Sequence, residues 1–571
     1  MTDRPWTKSY PDGVRWDVDI APEAVTSILN NSVARWPDAP AIEFMGKRMS
    51  YAELGTCSDR VARGLQDLGV GPGVHVGLYL PNSPHCLIAF FGILKAGGTV
   101  VNYSPLDAAG VLQHKIEDSE TDILITLDLA ALYPNMAPML GKTRLKKLVV
   151  GNLGEMSPAP EAVTAQLQAA GALSDVAWDD RHISFADLAD NDGDFTPYRI
   201  DRPEEAIAVL QYTGGTTGMP KGAMLTHANL CAATRQYWTV TDGTVPVLEK
   251  AQERTLAVLP PFHIYALTAN MLFGIHCGSE IIQHLKFDPK AILQEIEAKQ
   301  VTIFCGVPTM FTAMISHPET PNFSLKSLKY CGSGGAPLPL ELARQFKEIT
   351  GTDLTEGWGM TETSPSGTFT PGQPDGLRKP GSCGMPVPGS DIKILSLDNP
   401  VQYVGIGETG EICIKGPNVM KGYWKNEQAT AEATTYDGYL RTGDVGYMDE
   451  DGFIYIVDRT KEMLLCSGYN VYPRVIEEAI YQHPSVEEVA VIGVHDEYRG
   501  QSPKAFVTLK PGAPAFSLSD LQAFLKDKLG KHEMVRALDI RAELPKTAVG
   551  KIYKKDLHDE EDAAATQMAA T

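Results

Sequence analysis

Strand-like apolar runs alternate with helical patterns through the middle of this 571-residue chain, and the alternation limits the folds it can adopt. RTLAVLP (254–260), VTIFCG (301–306) and LKYCG (328–332) are short apolar runs typical of buried strands. Helical patterns accompany them, including AILQEIEAKQ (291–300) and PLELARQFKEITG (339–351), which ends at a glycine. Such alternation predicts layers of α/β structure.

Residues 212–222 read YTGGTTGMPKG, a loop that combines glycines, threonine hydroxyls and one lysine. Glycines let backbone N–H groups approach anionic oxygens, hydroxyls donate further hydrogen bonds, and the lysine supplies a positive charge. The preceding run IAVLQYT (207–213) reads as a buried strand, and Thr226 is predicted to cap a helix that follows. We therefore interpret the loop as a phosphate-binding loop.

The spacing of this loop differs from that of a P-loop NTPase, which requires G-x-x-x-x-G-K-[ST]. Counting from Gly215, Pro220 occupies the position of the second glycine. The pair Gly550–Lys551 near the C-terminus also fails, because Pro545 and Ile552 replace the first glycine and the Ser/Thr. An ordinary P-loop enzyme is therefore disfavoured.

Length, charge and cysteine usage restrict the class of protein. A chain of 571 residues exceeds a single hydrophobic core, so we expect one large and one small domain, or three domains. Its net charge of −21 argues against nucleic-acid binding as the main role. The nine cysteines include no CxxC pair, which predicts reduced core residues of a cytoplasmic protein.

Membrane insertion is not expected from this sequence. The polar N-terminus MTDRPWTKSYPDG holds no signal-peptide pattern. The most apolar run, 86–101, is interrupted by Lys95 and is too short to span a bilayer. A peripheral membrane contact stays open, as do a monomer and a homodimer.

Composition changes along the chain suggest further boundaries. Residues 151–205 are polar and alanine-rich, and we interpret them as an irregular surface insertion before the phosphate loop. After about residue 400 the pattern becomes rich in β-structure, with hairpin signals at Asp437–Gly438 and Asp451–Gly452. From about residue 461 a separate small α/β unit fits the sequence.

Several further segments share the glycine, hydroxyl and carboxylate chemistry of the phosphate loop. In chain order they are LPPFHIYAL (259–267), KYCGSGGAPL (329–338), EGWGMTE (356–362), GETGE (407–411), YLRTGD (439–444), DRTKEMLLCSGYNVYP (458–473) and PKTAVGK (545–551). Together and in this order they resemble the adenylate-forming superfamily of acyl-CoA synthetases, adenylation domains and luciferases, over roughly residues 30–555.

Within that superfamily the chain looks most similar to bacterial medium- and long-chain fatty acyl-CoA synthetases. The TGG form of the phosphate loop, PNVMKGYWKNEQAT (417–430) and SGYNVYPRVIEE (467–478) carry this likeness. The resemblance implies a large N-terminal domain, 1–460, of layered α/β subdomains plus a distorted β-barrel. It also implies a small mobile α/β C-terminal domain, 461–571, with a hinge at Lys461.

The implied activity has two steps and requires ATP, Mg²⁺ and CoA. A carboxylic acid attacks the α-phosphorus of ATP, which releases pyrophosphate and forms an acyl-adenylate. The CoA thiol then attacks the acyl group and AMP leaves. Such chemistry depends mainly on positioning and on charge neutralisation.

The resemblance also implies roles for the residues that contact phosphate and metal. Glu362 would hold Mg²⁺, with Thr213 as a second metal contact, and Thr361 would touch the α-phosphate. One carboxylate plus phosphate oxygens is a normal Mg²⁺ shell. The cradle for the β- and γ-phosphates would comprise Thr213, Gly214, Gly215, Thr216, Thr217, Gly218 and Lys221.

The adenosine contacts are expected from three segments. Trp358 would stack on the purine, as an aromatic face does. Asp444 would accept hydrogen bonds from the ribose hydroxyls, with Arg459 assisting. One side of the adenine would be lined by Gly335, Ala336 and Pro337.

Two residues of the C-terminal region are expected to act in different steps of the reaction. Lys551 would bridge the substrate carboxylate and the α-phosphate during adenylation. After rotation about Lys461, Gly468 would allow close approach of the pantetheine arm of CoA. The context of Lys551 also resembles sites of regulatory acetylation, so a lysine acetyltransferase and a deacetylase are candidate partners.

The acyl pocket is less constrained by the sequence. His263 resembles a gate histidine near the substrate carboxylate. Gly359 stands where short-chain enzymes of the superfamily carry a bulky tryptophan, which suggests room for a longer chain. Leu267 replaces the tryptophan gate of one long-chain branch. Medium or long aliphatic acids therefore fit best, with dicarboxylic and aryl acids as alternatives.

Other functions within and beyond this class stay open. An acyl-AMP ligase would pass its acyl group to the phosphopantetheine of a carrier protein, but DGFIYIVDRTK (451–461) runs into the hinge with no separating insertion. A luciferase-like oxygenase or a non-catalytic paralogue are further alternatives. The presence of the whole catalytic set argues against the paralogue: Lys221, Glu362, Asp444, Arg459 and Lys551.

Overall fold

Two α/β sheets form the larger part of the protein. The computed structural model describes residues 4–213, 219–466, 469–496, 499–547 and 550–569. The first sheet is parallel except for one hairpin at its edge, and its strands in spatial order are Leu354–Glu356, Tyr330–Ser333, Ile303–Gly306, Arg254–Ala257, Glu280–Gln283, Pro40–Phe44 and Lys47–Ser50. The predicted α/β alternation is confirmed here.

The second sheet contains the strand that precedes the phosphate loop. Its order is Gly422–Tyr423, Gly222–Thr226, Ile207–Tyr212, Thr99–Asn102, His75–Leu78, Thr121–Leu127, Lys147–Gly151 and His182–Ser184. The first two pairings are antiparallel and the others are parallel.

Antiparallel strands dominate the following region, as the sequence predicts. A four-stranded sheet comprises Asp391–Leu395, Gly410–Lys415, Leu440–Met448 and Ile454–Arg459, and Thr368–Phe369 pairs with Met385–Pro386. The predicted hairpin at Asp451–Gly452 is confirmed, since Gly452 has φ of +83° and joins the last two strands of the four-stranded sheet.

The C-terminal region has a sheet of its own. Its strands in order are Tyr469–Val471, Leu464–Cys466, Gly500–Leu509 and Val486–Asp496, with Ala537–Arg541 parallel to Gly500–Leu509. A separate hydrophobic core, which includes Val471, Ile480 and Val507, lies under this sheet. The larger cores belong to the two α/β sheets.

Helices cover the sheets and connect their strands. The α-helices are Thr26–Arg35, Tyr51–Asp67, Pro84–Lys95, Ala109–Asp118, Tyr133–Met136, Pro160–Ala169, Phe185–Leu188, His227–Thr241, Ile264–Ala266, Phe273–Cys277, Pro289–Lys299, Pro308–Ile315, Leu340–Thr350, Glu427–Glu432, Pro473–Tyr481, Leu518–Leu525 and Lys554–Ala569. Leu267–Leu272 is a π-helix, and Pro5–Lys8, Ala137–Gly141, Leu153–Met156, Thr320–Asn322 and Thr361–Thr363 are 3₁₀-helices. None of the helices in the described ranges is long and apolar enough to cross a membrane.

The segment 151–205 is only partly the surface insertion that its composition predicts. Helix Pro160–Ala169 has no buried residue, in agreement with that interpretation. However, strand His182–Ser184 extends the eight-stranded sheet, and Phe185 and Leu188 are buried. The interpretation is wrong for residues 182–188, because pairing with the neighbouring strand and the burial of Phe185 and Leu188 hold this short strand at the sheet edge.

The phosphate loop lies between two antiparallel strands rather than directly before a helix. Tyr212 is paired with Gly222, and the N–H of Thr213 donates to the carbonyl of Lys221 at 2.9 Å. The predicted cap at Thr226 is confirmed: its hydroxyl accepts from the N–H of Asn229, whose side chain accepts from the N–H of Thr226. This reciprocal pair starts helix His227–Thr241 after the second strand.

Removal of this cap should destabilise the protein. We expect Thr226→Ala to lower the free energy of unfolding by about 1 to 2 kcal/mol, because the first turn of the helix loses a buried hydrogen-bond partner. Urea denaturation measures the change. Thr226→Ser should retain most of the stability, and Thr239→Ala, in the same helix, should change it by less than about 0.5 kcal/mol. Equal losses at positions 226 and 239 would contradict the capping role.

Candidate active site

A cavity of about 1070 Å³ lies where the α/β sheets meet the C-terminal region. Its walls include residues at the carboxyl ends of strands Ile207–Tyr212, Tyr330–Ser333 and Leu354–Glu356. Lys551 reaches the same cavity from the C-terminal region. The carboxyl ends of parallel strands are the usual ligand-binding edge of an α/β sheet.

Most of the predicted site residues line this one cavity. They are Thr213, Lys221, His263, Gly335, Trp358, Thr361, Glu362, Arg459, Lys461 and Lys551. Ala336, Pro337 and Asp444 are not among the lining residues. The remaining predicted residues lie outside the described part of the chain: Gly214, Gly215, Thr216, Thr217, Gly218 and Gly468.

The lysine that closes the phosphate loop is not neutralised by a protein carboxylate. Lys221 is exposed to the cavity and makes no ion pair with any described residue. Its Nζ lies 5.1 Å from the centre of the Tyr423 ring, a distance that allows a cation–π interaction. Lys221 is therefore available for an anion.

Glu362 is a buried carboxylate held by a tyrosine. Only 6% of Glu362 is exposed, and the hydroxyl of Tyr423 donates to its Oε1 at 2.7 Å. Burial raises the pKa of Glu362, an effect that the hydrogen bond from Tyr423 opposes. A cation in the cavity would stabilise the charged form of this carboxylate.

Trp358, Asp444 and Arg459 form a connected group. The indole N–H of Trp358 donates to Asp444 Oδ2 at 2.7 Å, and Arg459 Nε donates to Asp444 Oδ1 at 2.9 Å. Asp444 is 4% exposed, so the carboxylate lies behind the two residues that reach the cavity. It orients both of them, and each of its oxygens retains a lone pair that can accept a further hydrogen bond.

Lys551 is a half-buried cation with no ion pair among the described residues. Burial, together with the charge of Arg459, lowers the pKa of Lys551 to about 8, although Glu462 and Asp444 act in the opposite direction. Lys554 adds a smaller repulsion. Desolvation thus leaves this ammonium group poorly compensated, and a bound anion would compensate it.

His263 is neutral at physiological pH. Burial and the Lys551 charge lower the pKa of His263 to about 4. Its Nδ1 accepts a hydrogen bond from the N–H of Tyr265 at 3.3 Å, which leaves the ring proton on Nε2. His263 can therefore donate one hydrogen bond toward the cavity but cannot supply a positive charge.

The deeper wall of the cavity is largely apolar. Tyr237, Tyr265, Tyr330 and Cys305 belong to one hydrophobic cluster and line this wall. The hydroxyl of Tyr265 donates to the carbonyl of Gly332 at 3.1 Å, so this polar group is satisfied. A pocket of this composition suits an aliphatic or aromatic group.

Gly359 lines the cavity, but the surrounding backbone leaves no room for a side chain. A Cβ at this position would lie 1.4 Å from the carbonyl oxygen of Pro365. A tryptophan at position 359 would require the backbone at 365–366 to move. The glycine is thus a packing requirement here, in addition to any effect on the depth of the pocket.

Four contributors to the site were not singled out from the sequence. They are Tyr423, the pair Glu411 and Arg441, and Thr309. Arg441 donates to Glu411 Oε2 at 2.7 and 2.9 Å, and Glu411 Oε1 accepts from the N–H of Gly443, next to Asp444. Glu411 and Arg441 stand in the motifs GETGE and YLRTGD, but only the tertiary structure pairs them.

The donor set suits a cation that arrives with phosphate. The described residues contain no group of three or more His, Cys, Asp or Glu side chains able to hold a metal ion. Two buried carboxylates line the cavity, and Glu411 is paired with Arg441, which leaves Glu362. Mg²⁺ commonly binds through one or two carboxylates, water and substrate phosphates, and Glu362 fits that arrangement.

The fold and the cavity define a nucleotide-dependent enzyme that handles more than one anion, and comparison with known proteins gives its family. The model of the AMP-binding enzyme family matches residues 29–424, and that of the AMP-binding enzyme C-terminal domain matches residues 475–551. The chain belongs to the AMP-binding enzyme family, whose members form adenylates.

Several relatives that match nearly the full length share one name. The chain is 40% identical to the long-chain-fatty-acid–CoA ligase of Bacillus subtilis (strain 168), across 98% of this chain and 99% of that protein. It is 36% identical to the protein of the same name from Escherichia coli O6:H1, across 97% and 98%. Among solved structures, the anthranilate CoA ligase AuaEII in complex with anthranoyl-AMP has a TM-score of 0.84 at 26% identity, across 96% and 99%.

The lowered pKa of Lys551 should be visible as amine reactivity. Because only the neutral amine reacts, acylation of Lys551 by a small acetylating reagent should rise through pH about 8. Peptide mass spectrometry at a series of pH values would measure the rate, with exposed Lys555 as the internal reference. A ratio of Lys551 to Lys555 labelling that stays constant from pH 7 to 10 would contradict the assignment.

Proposed function

We propose that the protein is an AMP-forming acyl-CoA synthetase that acts on medium- or long-chain fatty acids. The observation that carries the proposal is one cavity with an apolar wall and several cationic side chains, among them Lys221, Arg459 and Lys551. The named relatives at 40% and 36% identity support the same acid–thiol ligase reaction.

In the first step a carboxylate oxygen of the acid attacks the α-phosphorus of ATP. The bond between the α-phosphorus and the leaving pyrophosphate breaks, and an acyl-adenylate is formed. Both reactants are anions, so their approach requires local positive charge. Lys551 bridges the carboxylate and the α-phosphate, Lys221 binds the outer phosphates with the glycine-rich loop, and Thr361 donates to the α-phosphate.

A second group of residues orients the nucleotide. Trp358 stacks on the adenine, and Gly335, Ala336 and Pro337 belong to the loop beside it. Asp444 and Arg459 hold the ribose side, with Asp444 already fixed by its two hydrogen bonds. Glu362, and more weakly Thr213, hold Mg²⁺, which supplies neutralisation of the phosphate charge when bound.

In the second step the thiol of CoA attacks the acyl carbonyl carbon, and the bond to AMP breaks. A thiol with an unperturbed pKa of about 8.5 reacts as its thiolate. We propose that residues 461–571 form a mobile domain that turns at Lys461 between the two steps. In the second orientation Gly468 lies beside the pantetheine arm of CoA.

The acyl group lies against the apolar wall formed by Tyr237, Tyr265 and Tyr330. His263 donates a hydrogen bond from Nε2 near the substrate carboxylate. Aliphatic chains gain from burial at such a surface. An aryl or dicarboxylic acid, and transfer to a carrier-protein phosphopantetheine, are the alternatives that the test below separates. Acetylation of Lys551 by an acetyltransferase would remove the bridging charge and stop the first step.

An acid panel tests the proposed reaction. With ATP, Mg²⁺ and CoA, fatty acids of about eight carbons or more should give AMP and the acyl-CoA, both scored by mass spectrometry. Acetate, aromatic acids and dicarboxylic acids should give much less product. AMP or adenylate without thioester would favour transfer to a carrier protein, and thioester from an aryl acid alone would overturn the fatty-acid assignment.

Tyr423→Phe should weaken the response to Mg²⁺. The variant keeps the ring beneath Lys221 but removes the hydrogen bond to Glu362, so the carboxylate is less ionised and less well oriented. We expect the Mg²⁺ concentration for half-maximal ATP–pyrophosphate exchange to rise about tenfold. Tyr447→Phe, outside the cavity, is the matched control and should leave it unchanged. An unaltered Mg²⁺ dependence in Tyr423→Phe would argue against the metal role of Glu362.

A further inference from the structure

The turn that carries Lys551 is hydrogen-bonded to a helix far away in sequence. Thr309, near the N-terminus of helix Pro308–Ile315, donates from its hydroxyl to the backbone carbonyl of Gly550 at 2.9 Å. The two residues are 241 positions apart. Gly550 immediately precedes Lys551, so this bond acts on the peptide unit that leads into the lysine.

Thr309 and Val307 also pack closely against Gly550. Gly550 has φ of +76°, and a Cβ there would lie 2.8 Å from the Thr309 hydroxyl oxygen and 3.4 Å from Val307 Cγ2. The other methyl of Val307, Cγ1, would lie 3.6 Å from a Cβ at Gly335. Val307 thus separates the Gly335 loop from the Lys551 turn, which sets the spacing between them.

Internal hydrogen bonds make the turn a single unit. The N–H of Gly550 donates to the carbonyl of Thr547 at 2.9 Å, and the N–H of Thr547 donates to the carbonyl of Lys551 at 2.7 Å. The hydroxyl of Thr547 accepts from the N–H of Lys551 at 3.2 Å. A contact that fixes the position of Gly550 therefore also fixes the position of the Lys551 backbone.

Few polar contacts connect this turn to the α/β sheets. Within the described ranges, the Thr309 bond is the only hydrogen bond from residues 545–553 to residues before 460. The flanking Lys546 is paired instead with Glu488 of the C-terminal region at 2.8 Å. The cavity-side placement of the turn thus depends on one hydroxyl and on the Val307 contact.

We propose that Thr309 is a positioning residue that docks the Gly550–Lys551 turn and so presents the Lys551 ammonium group for adenylation. This inference rests on the role of Lys551 proposed above. Thr309 acts through Lys551 and has no assigned contact with the reacting atoms. Its hydroxyl is therefore needed for the adenylation step and not for the transfer of a preformed acyl-adenylate to CoA.

Three variants isolate the hydroxyl. Thr309→Val keeps the shape and removes the donor, Thr309→Ser keeps the donor, and Thr312→Val changes a threonine of the same helix whose hydroxyl has no hydrogen bond among the described residues. Because small displacements of a reacting group reduce rates strongly, we expect Thr309→Val to lower kcat of ATP–pyrophosphate exchange at least tenfold with little change in KM for ATP. Thr309→Ser and Thr312→Val should remain within about twofold of wild type.

The supplied-intermediate assay distinguishes positioning from folding. With synthetic acyl-adenylate and CoA, Thr309→Val should form acyl-CoA at the wild-type rate, because that step bypasses Lys551. Equal losses in both half-reactions would show a general structural role and overturn the proposal. Unimpaired exchange in Thr309→Val would overturn it as well.

A double-mutant cycle tests whether Thr309 acts through Lys551. Thr309→Val should cause no further loss of exchange in a Lys551→Ala background, since the group that it positions is absent. Independent, multiplicative losses would contradict the coupling. If Lys551→Ala alone retained full exchange, the role of Lys551 in the proposed function would fail instead, which separates the two failures.

Discussion

The mutual repulsion of two anions is the constraint around which this site is organised. A carboxylate and a polyphosphate can meet only where positive charge is concentrated, and this chain has a net charge of −21. Lys221 and Lys551 supply positive charge in the cavity, and neither has an ion pair among the described residues. Arg459 supplies a third positive charge and is held in place by buried Asp444. Positive side chains are therefore gathered locally in a chain whose net charge is negative.

The burial of Lys551, which has no ion pair among the described residues, has an energetic consequence. Burial lowers the pKa of Lys551 to about 8, so the charged ammonium form is disfavoured and a bound anion would stabilise it. Burial likewise raises the pKa of Glu362, a carboxylate that gains from a cation. Burial thus disfavours the charged form of both groups, and a counter-ion beside either one would stabilise its charge. Preorganisation of this kind is a main source of electrostatic catalysis.

Local features of the fold followed well from the sequence. The alternation of apolar runs and helices over 254–351 corresponds to observed strands and helices, and Thr226 caps a helix, because both depend on neighbouring residues. The structure adds a second strand, Gly222–Thr226, between the phosphate loop and the capped helix, which the sequence analysis did not identify. Residues 182–188 were missed because the strand His182–Ser184 has only three residues and is stabilised by pairing with Lys147–Gly151, which its own sequence does not reveal.

The sequence by itself determined the family, through motifs whose glycines, hydroxyls and charges must stand at fixed local spacing. It also determined which residues are candidates for the site. Only the tertiary structure decided their environments: Tyr423 on Glu362, Asp444 behind Trp358, and Thr309 on the turn of Lys551. The physical reason is that hydrogen-bond partners and burial arise from segments that are far apart in sequence, so neither spacing nor composition encodes them.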